Sequence, residues 1–226
     1  MKGLITGLFI LAFIAGEAQD YKPENTEIWD PKPPIVTPGI GSSAPSDAVV
    51  LFDGSNADEW QKPIFRGEFM SARGSGAALS GYEEAESEPI EWKIKKGELE
   101  VKPGSGSIET KRKFGSCQLH IEWLSPEDKG KEGQGYSNSG IFLMSLYEIQ
   151  VLNSYENETY SNGQAGSVYK QQIPQVNASR PPGEWQTYDI VFSAPEFDEI
   201  GNLVEPARVT AFHNGVLIHN NVSLKG

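Results

Sequence analysis

A two-residue alternation of apolar and polar side chains, broken every few residues by turn pairs, is the pattern that most limits how this chain can fold. Residues 117–123 show it cleanly. Cys117, Leu119, Ile121 and Trp123 fall on one face, and Gln118, His120 and Glu122 on the other. Residues 138–157 open with a polar turn, Asn138-Ser139-Gly140, and continue as a strand in which Tyr147, Ile149 and Val151 alternate with Glu148, Gln150 and Leu152. Residues 185–192 alternate again. Lys96-Gly97 separates two short strand-like runs, and residues 207–218 carry Asn214-Gly215, the strongest short hairpin signal. Beyond the N-terminal apolar run, no segment holds a helical period over ten residues. The pattern predicts an all-β chain: a jelly-roll sandwich of antiparallel sheets.

The N-terminus reads as an export signal over residues 1–18. Lys2 supplies the charge, residues 4–15 are an apolar run too short to cross a bilayer comfortably, and Ala15, Gly16 and Ala18 offer a cleavage site. Cys117 is the only cysteine, so an exported form has no internal disulfide and depends on its core. Residues 19–47 hold Pro23, Pro31, Pro33, Pro34, Pro38 and Pro45 and read as an extended linker. The domain is expected over 48–226, with residues 71–88 as an acidic surface loop. Residues 153–183, with Tyr155, Tyr160 and Tyr169, are too long for a simple turn and read as a functional loop region. The chain stops just after the last hairpin, where a sandwich would expose a strand edge, so the domain is expected to be incomplete at its C-terminus. With 31 acidic against 19 basic residues and a net charge of -12, nucleic acid and anionic lipid are poor partners. Once the signal is cleaved, no stable membrane insertion is expected, and the location is periplasmic or extracellular.

No local catalytic motif is present: no phosphate loop, paired cysteines, His-Glu-x-x-His or Gly-x-Ser-x-Gly. His120, His213 and His219 would form a metal site only if strands brought them together. Glu148 is the best candidate for chemistry, because a carboxylate inside an apolar strand is costly unless it is paired or wet. If the strands bearing them share a sheet and a groove, Glu122 and Glu148 form an acid/base pair. A retaining glycosidase of the laminarinase type carries its second carboxylate about four residues after the first on one strand. Leu152 and Asn153 stand there instead, so ordinary double displacement is not supported. Asn138 and Ser139 are turn donors, Lys111 and Arg112 are cations, and Trp92, Trp123 and Trp185 are candidates for stacking on sugar rings, with Trp123 assigned by alternation to the core.

Several of these stretches together resemble the 3-keto-disaccharide hydrolase domain family. They are Leu51-Phe52-Asp53-Gly54 with Trp60, residues 106–111, residues 114–123, Asn138-Ser139-Gly140-Ile141, Tyr147-Glu148-Ile149-Gln150, Gly183-Glu184-Trp185 and Phe212-His213-Asn214-Gly215. The resemblance runs in order over residues 49–226. It implies a concanavalin A-like jelly roll, export, a carbohydrate partner and cleavage of 3-keto-glycosides or 3-keto-disaccharides. The family's usual ending, with a Gln-Asp-His and an Arg-Asn pair, has no counterpart. The implied chemistry is elimination followed by hydration. A ketone at C3 acidifies the hydrogen on C2, a base removes it, and the glycosidic oxygen leaves C1. In that reading Glu148 is base or metal ligand, Gln150 and Asn138 orient the substrate, and Glu122 or His120 is the second titrating group. Ser139, Lys111 and Trp185 complete the binding set. No cofactor is fixed, and a divalent metal is compatible with holding the enolate oxygen. Two further readings stand beside it, because fold does not decide function: a non-catalytic, lectin-like carbohydrate-binding module, and an interaction domain on a Pro-rich tether.

Overall fold

A computed structural model describes residues 22–41, 43–63 and 87–225. The expected export signal, and residues 71–86 of the expected acidic loop, lie outside the described residues. The chain divides into a segment ending at Val50 and a body from Leu51 onward. In the first, the described residues form one turn of 3-10 helix, Pro23–Thr26, and no strand. A short loop there is closed by the Thr37 amide on Ser46 Oγ at 2.9 Å and the Ser46 amide on the Thr37 carbonyl at 3.0 Å.

The body is almost entirely β. Its strands are β1 (Trp60–Gln61), β2 (Lys93–Lys95), β3 (Glu98–Glu100), β4 (Glu109–Thr110), β5 (Cys117–Trp123), β6 (Ser139–Leu143), β7 (Tyr147–Val151), β8 (Gln186–Ser193), β9 (Glu196–Phe197), β10 (Leu203–Glu205), β11 (Arg208–His213) and β12 (Val216–Ser223). Every pairing among them is antiparallel. Among the described residues, the main sheet has four strands in the order β12-β11-β8-β5. The β11–β12 turn is Asn214-Gly215, both at positive φ (52° and 79°), as the dipeptide predicts. Lys96 and Gly97 turn β2 into β3 in the same way.

The 138–157 stretch is not one strand. It is the hairpin β6–β7, in register Gly140 to Gln150 and Phe142 to Glu148. Met144 and Ser145 make the turn at φ 51° and 58°, and the Leu146 amide bonds the Leu143 carbonyl at 3.1 Å. Neither residue type favours the left-handed region, so composition does not announce this turn. Residues 166–169 run along the other side of β7. Their bonds are Gln150 N–H to the Ser167 carbonyl (2.9 Å), Gly166 N–H to the Gln150 carbonyl (2.9 Å) and Tyr169 N–H to the Glu148 carbonyl (3.0 Å). The strand is therefore held on both edges.

The core lies between this layer and the main sheet. Tyr188, Ile190, Phe192, Val209, Ala211 and Ile218 meet Leu143, Tyr147, Ile149 and Val168, with Leu119, Ile121 and Trp123 packed at the margin. Each large side chain taken fully out of water contributes about 1.5–3 kcal/mol. A polar tie crosses the core: the Tyr188 hydroxyl donates to the Gln150 carbonyl at 2.8 Å. The Tyr188 ring also meets His213 edge-on at 4.7 Å. His213 Nε2 faces Gln186 Oε1 at 3.2 Å, and Gln186 Oε1 also accepts from Asn214 Nδ2 at 2.7 Å. His219 Nε2 donates to the Gly166 carbonyl at 2.7 Å.

Two stability measurements follow from this core. Tyr188→Phe keeps the ring and removes the tie, and should cost about 1–2 kcal/mol in urea unfolding. The second concerns acid. Burial, with the Arg180 charge as a lesser cause, pushes His213 down to about 4, and burial also lowers His219. An unfolded histidine titrates near 6.5, so between those values the unfolded chain binds more protons. The histidine contribution is therefore complete above about pH 6.5 and is lost as the pH falls toward 4, on the order of 3 kcal/mol for His213. His213→Gln should flatten the pH dependence of the urea midpoint over that window; an unchanged slope would show that His213 is not its source.

Candidate active site

Alternation turns Tyr147 and Ile149 into the core and sends Glu148 and Gln150 to the opposite face of β7. There the neighbouring strand offers Gly140. A Cβ at that position would lie 2.2 Å from Glu148 Oε1 and 2.9 Å from its Cδ, so the missing side chain is what seats the carboxylate. Gln150 is fully buried, and its Nε2 donates to Gln134 Oε1 at 3.2 Å. Gln134 Oε1 also accepts from Asn138 Nδ2 at 3.1 Å, while Gln134 Nε2 donates to Thr159 Oγ1 (3.0 Å) and to the Gly163 carbonyl (2.8 Å). Gln134 is the hub of this face. It rides on the 3-10 turn Gly133–Gly135, which Asn157 clamps from both sides: Gly133 N–H to Oδ1 at 2.7 Å and Nδ2 to the Gly133 carbonyl at 3.0 Å. Among the described residues, Gln150 Oε1 has no hydrogen-bond partner.

The bond from Tyr169 N–H to the Glu148 main-chain carbonyl lays the loop against β7, and the Glu148 charge is felt at Tyr160. Tyr160 and Tyr169 share a hydrogen bond of 2.6 Å between their hydroxyls. The Lys170 ammonium lies 5.9 Å and 5.5 Å from the two ring centroids, within cation–π range. Partial burial, then the bond to Tyr169 and the Glu148 charge, push the Tyr160 phenol up to about 12. It stays protonated at neutral pH and is a donor. The face thus combines a carboxylate, a phenol pair, an ammonium and carboxamides. Such a set can take a proton from carbon, hold a carbonyl oxygen and fix sugar hydroxyls.

Glu148, Gln150 and Asn138 are brought together here, but Gln150 does not line an open groove. It lies beneath Gln134 and orients it. Ser139 pairs with Val151 and shares the face of Ile141 and Leu143, so it points away from Glu148. The Glu122–Glu148 pairing is not formed, because β5 and β7 lie in different sheets. Leu119 and Ile121 pack toward the core, so His120 and Glu122 occupy the outer face of the main sheet, with the core between them and Glu148. On that face His120 Nδ1 lies 2.7 Å from Asp189 and Nε2 4.0 Å from Glu122, and all three side chains are exposed. Trp185 precedes β8 with an exposed indole, and its carbonyl accepts from Arg180 Nη1 at 3.0 Å. Lys111 and Trp92 line a separate cleft. Trp123 packs against the core, stacked on His213 at 6.0 Å.

Gln134 and Lys170 are the members that sequence reasoning missed, and Tyr160 and Tyr169 were placed in a functional loop without a role. The long loop with its tyrosines was the available signal; the Gly-rich turn around Gln134 carried none. Among the described residues, no group of three or more His, Cys, Asp or Glu is placed to hold a metal ion. The carboxamides, phenols and ammonium around Glu148 suit hydroxyl and carbonyl groups.

Residues 47–226 match the family model described as the 3-keto-alpha-glucoside-1,2-lyase-like domain. The chain is also similar to two crystal structures from Parabacteroides distasonis ATCC 8503, each described as a "putative glycosyl hydrolase". The first is 41% identical with a TM-score of 0.75, over 91% of this chain and 80% of its own. The second is 15% identical with a TM-score of 0.46, over 76% and 70%. No curated protein sequence matches the chain.

Proposed function

The chain belongs to the 3-keto-alpha-glucoside-1,2-lyase-like domain family, and from that premise we propose that it opens the glycosidic bond of 3-keto-glycosides on the Glu148 face. A carbohydrate-active, hydrolase-like function follows from the family and from its structural relative. The finer reading is carried by one observation: a single carboxylate on β7 acts on Tyr160, which is hydrogen-bonded to Tyr169 with the Lys170 ammonium over both rings.

Glu148 takes the hydrogen on C2 as a proton, and the C2–H electron pair delocalises onto the C3 oxygen. Within the Tyr160–Tyr169 pair one hydroxyl donates to the other, and the hydroxyl that accepts is left to donate to that oxygen, with Lys170 adding positive charge. The carbonyl re-forms as the C1–O bond breaks, its electron pair leaving on the glycosidic oxygen, which takes the proton from Glu148. Water then adds its hydroxyl to C1 and its proton to C2, and the sum is hydrolysis. Asn138, held by Gln134, is left to bind a sugar hydroxyl. The apolar run at residues 4–15 supports an exported enzyme.

Aglycone release from a 3-keto-glucoside tests the reading. Glu148→Gln should lower kcat by about 10²–10⁴, and Tyr160→Phe by roughly 10–100-fold with an unchanged unfolding midpoint. Undiminished turnover in Glu148→Gln removes Glu148 from the mechanism. Saccharide binding by the unaltered protein without turnover would make it the lectin-like module instead. Gly140→Ala offers an independent check, because the added methyl must displace the carboxylate. Turnover should fall at least about tenfold while far-ultraviolet circular dichroism is retained.

A further inference from the structure

Away from the Glu148 face, β1, Lys111 just after β4, and the segment leading into β2 line an open cleft of about 570 Å³. We infer that this cleft is a second carbohydrate site, docking a neutral gluco-oligosaccharide chain. The volume falls in the range of small-molecule sites, which combine aromatic walls with a few polar groups. Trp60 and Trp92 line it, with Ile94, Asp58, Glu88 and Lys111. Both indoles are fixed through their N–H groups, Trp60 on the Leu51 carbonyl (2.8 Å) and Trp92 on the Gly106 carbonyl (3.2 Å). With the N–H groups occupied, the rings are left to offer faces, which suit the apolar side of a pyranose.

The wall is tied down before any ligand arrives. Lys62 N–H bonds the Glu88 carbonyl at 2.9 Å, Ser87 Oγ bonds Gln61 Oε1 at 2.7 Å, and Lys62 Nζ bridges Glu88 (3.3 Å) and Glu91 (2.8 Å). Lys102 pairs with Glu91 from the far side. A preformed cleft with carboxylates of its own, on a protein of net charge -12, disfavours an anionic glycan and suits neutral hydroxyls. Lys111, expected from sequence to bind substrate, would serve here rather than beside Glu148. Among the described residues, none that lines the cleft belongs to the Glu148 face.

The glucose class rests on the reading above, so the experiment separates the two. Tryptophan fluorescence is titrated with unoxidised maltohexaose, cellohexaose and laminarihexaose, none of which requires chemistry. At least one should bind, with the same Kd in Glu148→Gln. Trp92→Ala should weaken that Kd at least about tenfold, and Trp92→Phe should restore much of it. Turnover of a small 3-keto-glucoside should stay within about twofold in Trp92→Ala. Binding of none of the three, or equal binding in Trp92→Ala, overturns the proposal. So does a parallel loss of small-substrate kcat/KM in a folded Trp92→Ala, which would make the cleft part of the catalytic site. Failure of turnover alone, with binding intact, would count against the Glu148 reading and leave the cleft standing.

Discussion

The carbonyl of Gln150 accepts two hydrogen bonds, from Gly166 N–H and from the Tyr188 hydroxyl, and the placement of the site depends on that junction. A carbonyl oxygen has two lone pairs, and in a dry interior each unmet acceptor is costly. One bond continues the sheet; the other crosses the core. Between them they fix β7 relative to the main sheet, and so fix Glu148 two residues away on the outer face. Gly166 is required on its own account. Its φ is +80°, and a Cβ there would meet Ile218 Cδ1 at 2.5 Å. Its carbonyl in turn takes the His219 bond. A chain of polar contacts thus runs from β12 through residue 166 and β7 to β8.

That chain shows why the three histidines divide as they do. His213 and His219 are buried and hold neutral rings among aromatic and backbone groups, where a charge would be expensive. They contribute to the fold, and titrating them in acid loosens it. His120 is exposed beside Asp189 and Glu122 on the far face of the main sheet. The spacing of the histidines in sequence could not separate these cases. Burial does, because it depends on which face of each strand meets the core.

What was legible from sequence was what depends on local alternation. The faces of β5, the hairpin at Asn214-Gly215 and the outward direction of Glu148 all follow from a period of two. What was not legible depends on a third dimension. Met144 and Ser145 turn the chain without any turn chemistry, so β6 and β7 read as one strand. Gln150 keeps its predicted direction yet ends with no exposure, because the 133–135 turn folds over it. Gln134 lies sixteen positions before Gln150 in a Gly-rich turn, and nothing local links the two. Glu122 and Glu148 each sit on the solvent side of their strands, but in different sheets, and solvent sides of a sandwich face apart.

The separation of the two carboxylates bears directly on the chemistry. Sandwiched sheets pack about 10 Å apart, and residues on their outer faces are farther still, beyond the spacing of roughly 5–9.5 Å that glycosidase carboxylate pairs use. β7 itself offers no second acid. Direct displacement at C1 would ask one carboxylate to protonate the leaving group while a partner attacked. Elimination asks less, because the substrate ketone does the activating. One base and a set of donors at the ketone oxygen are enough, and the same carboxyl can return its proton to the leaving oxygen. Glu148 with Tyr160, Tyr169 and Lys170 has that composition. The high Tyr160 value fits the same division of labour: a phenol kept protonated beside a carboxylate gives one acceptor and one donor at the same pH, as proton transfer between carbon and oxygen requires.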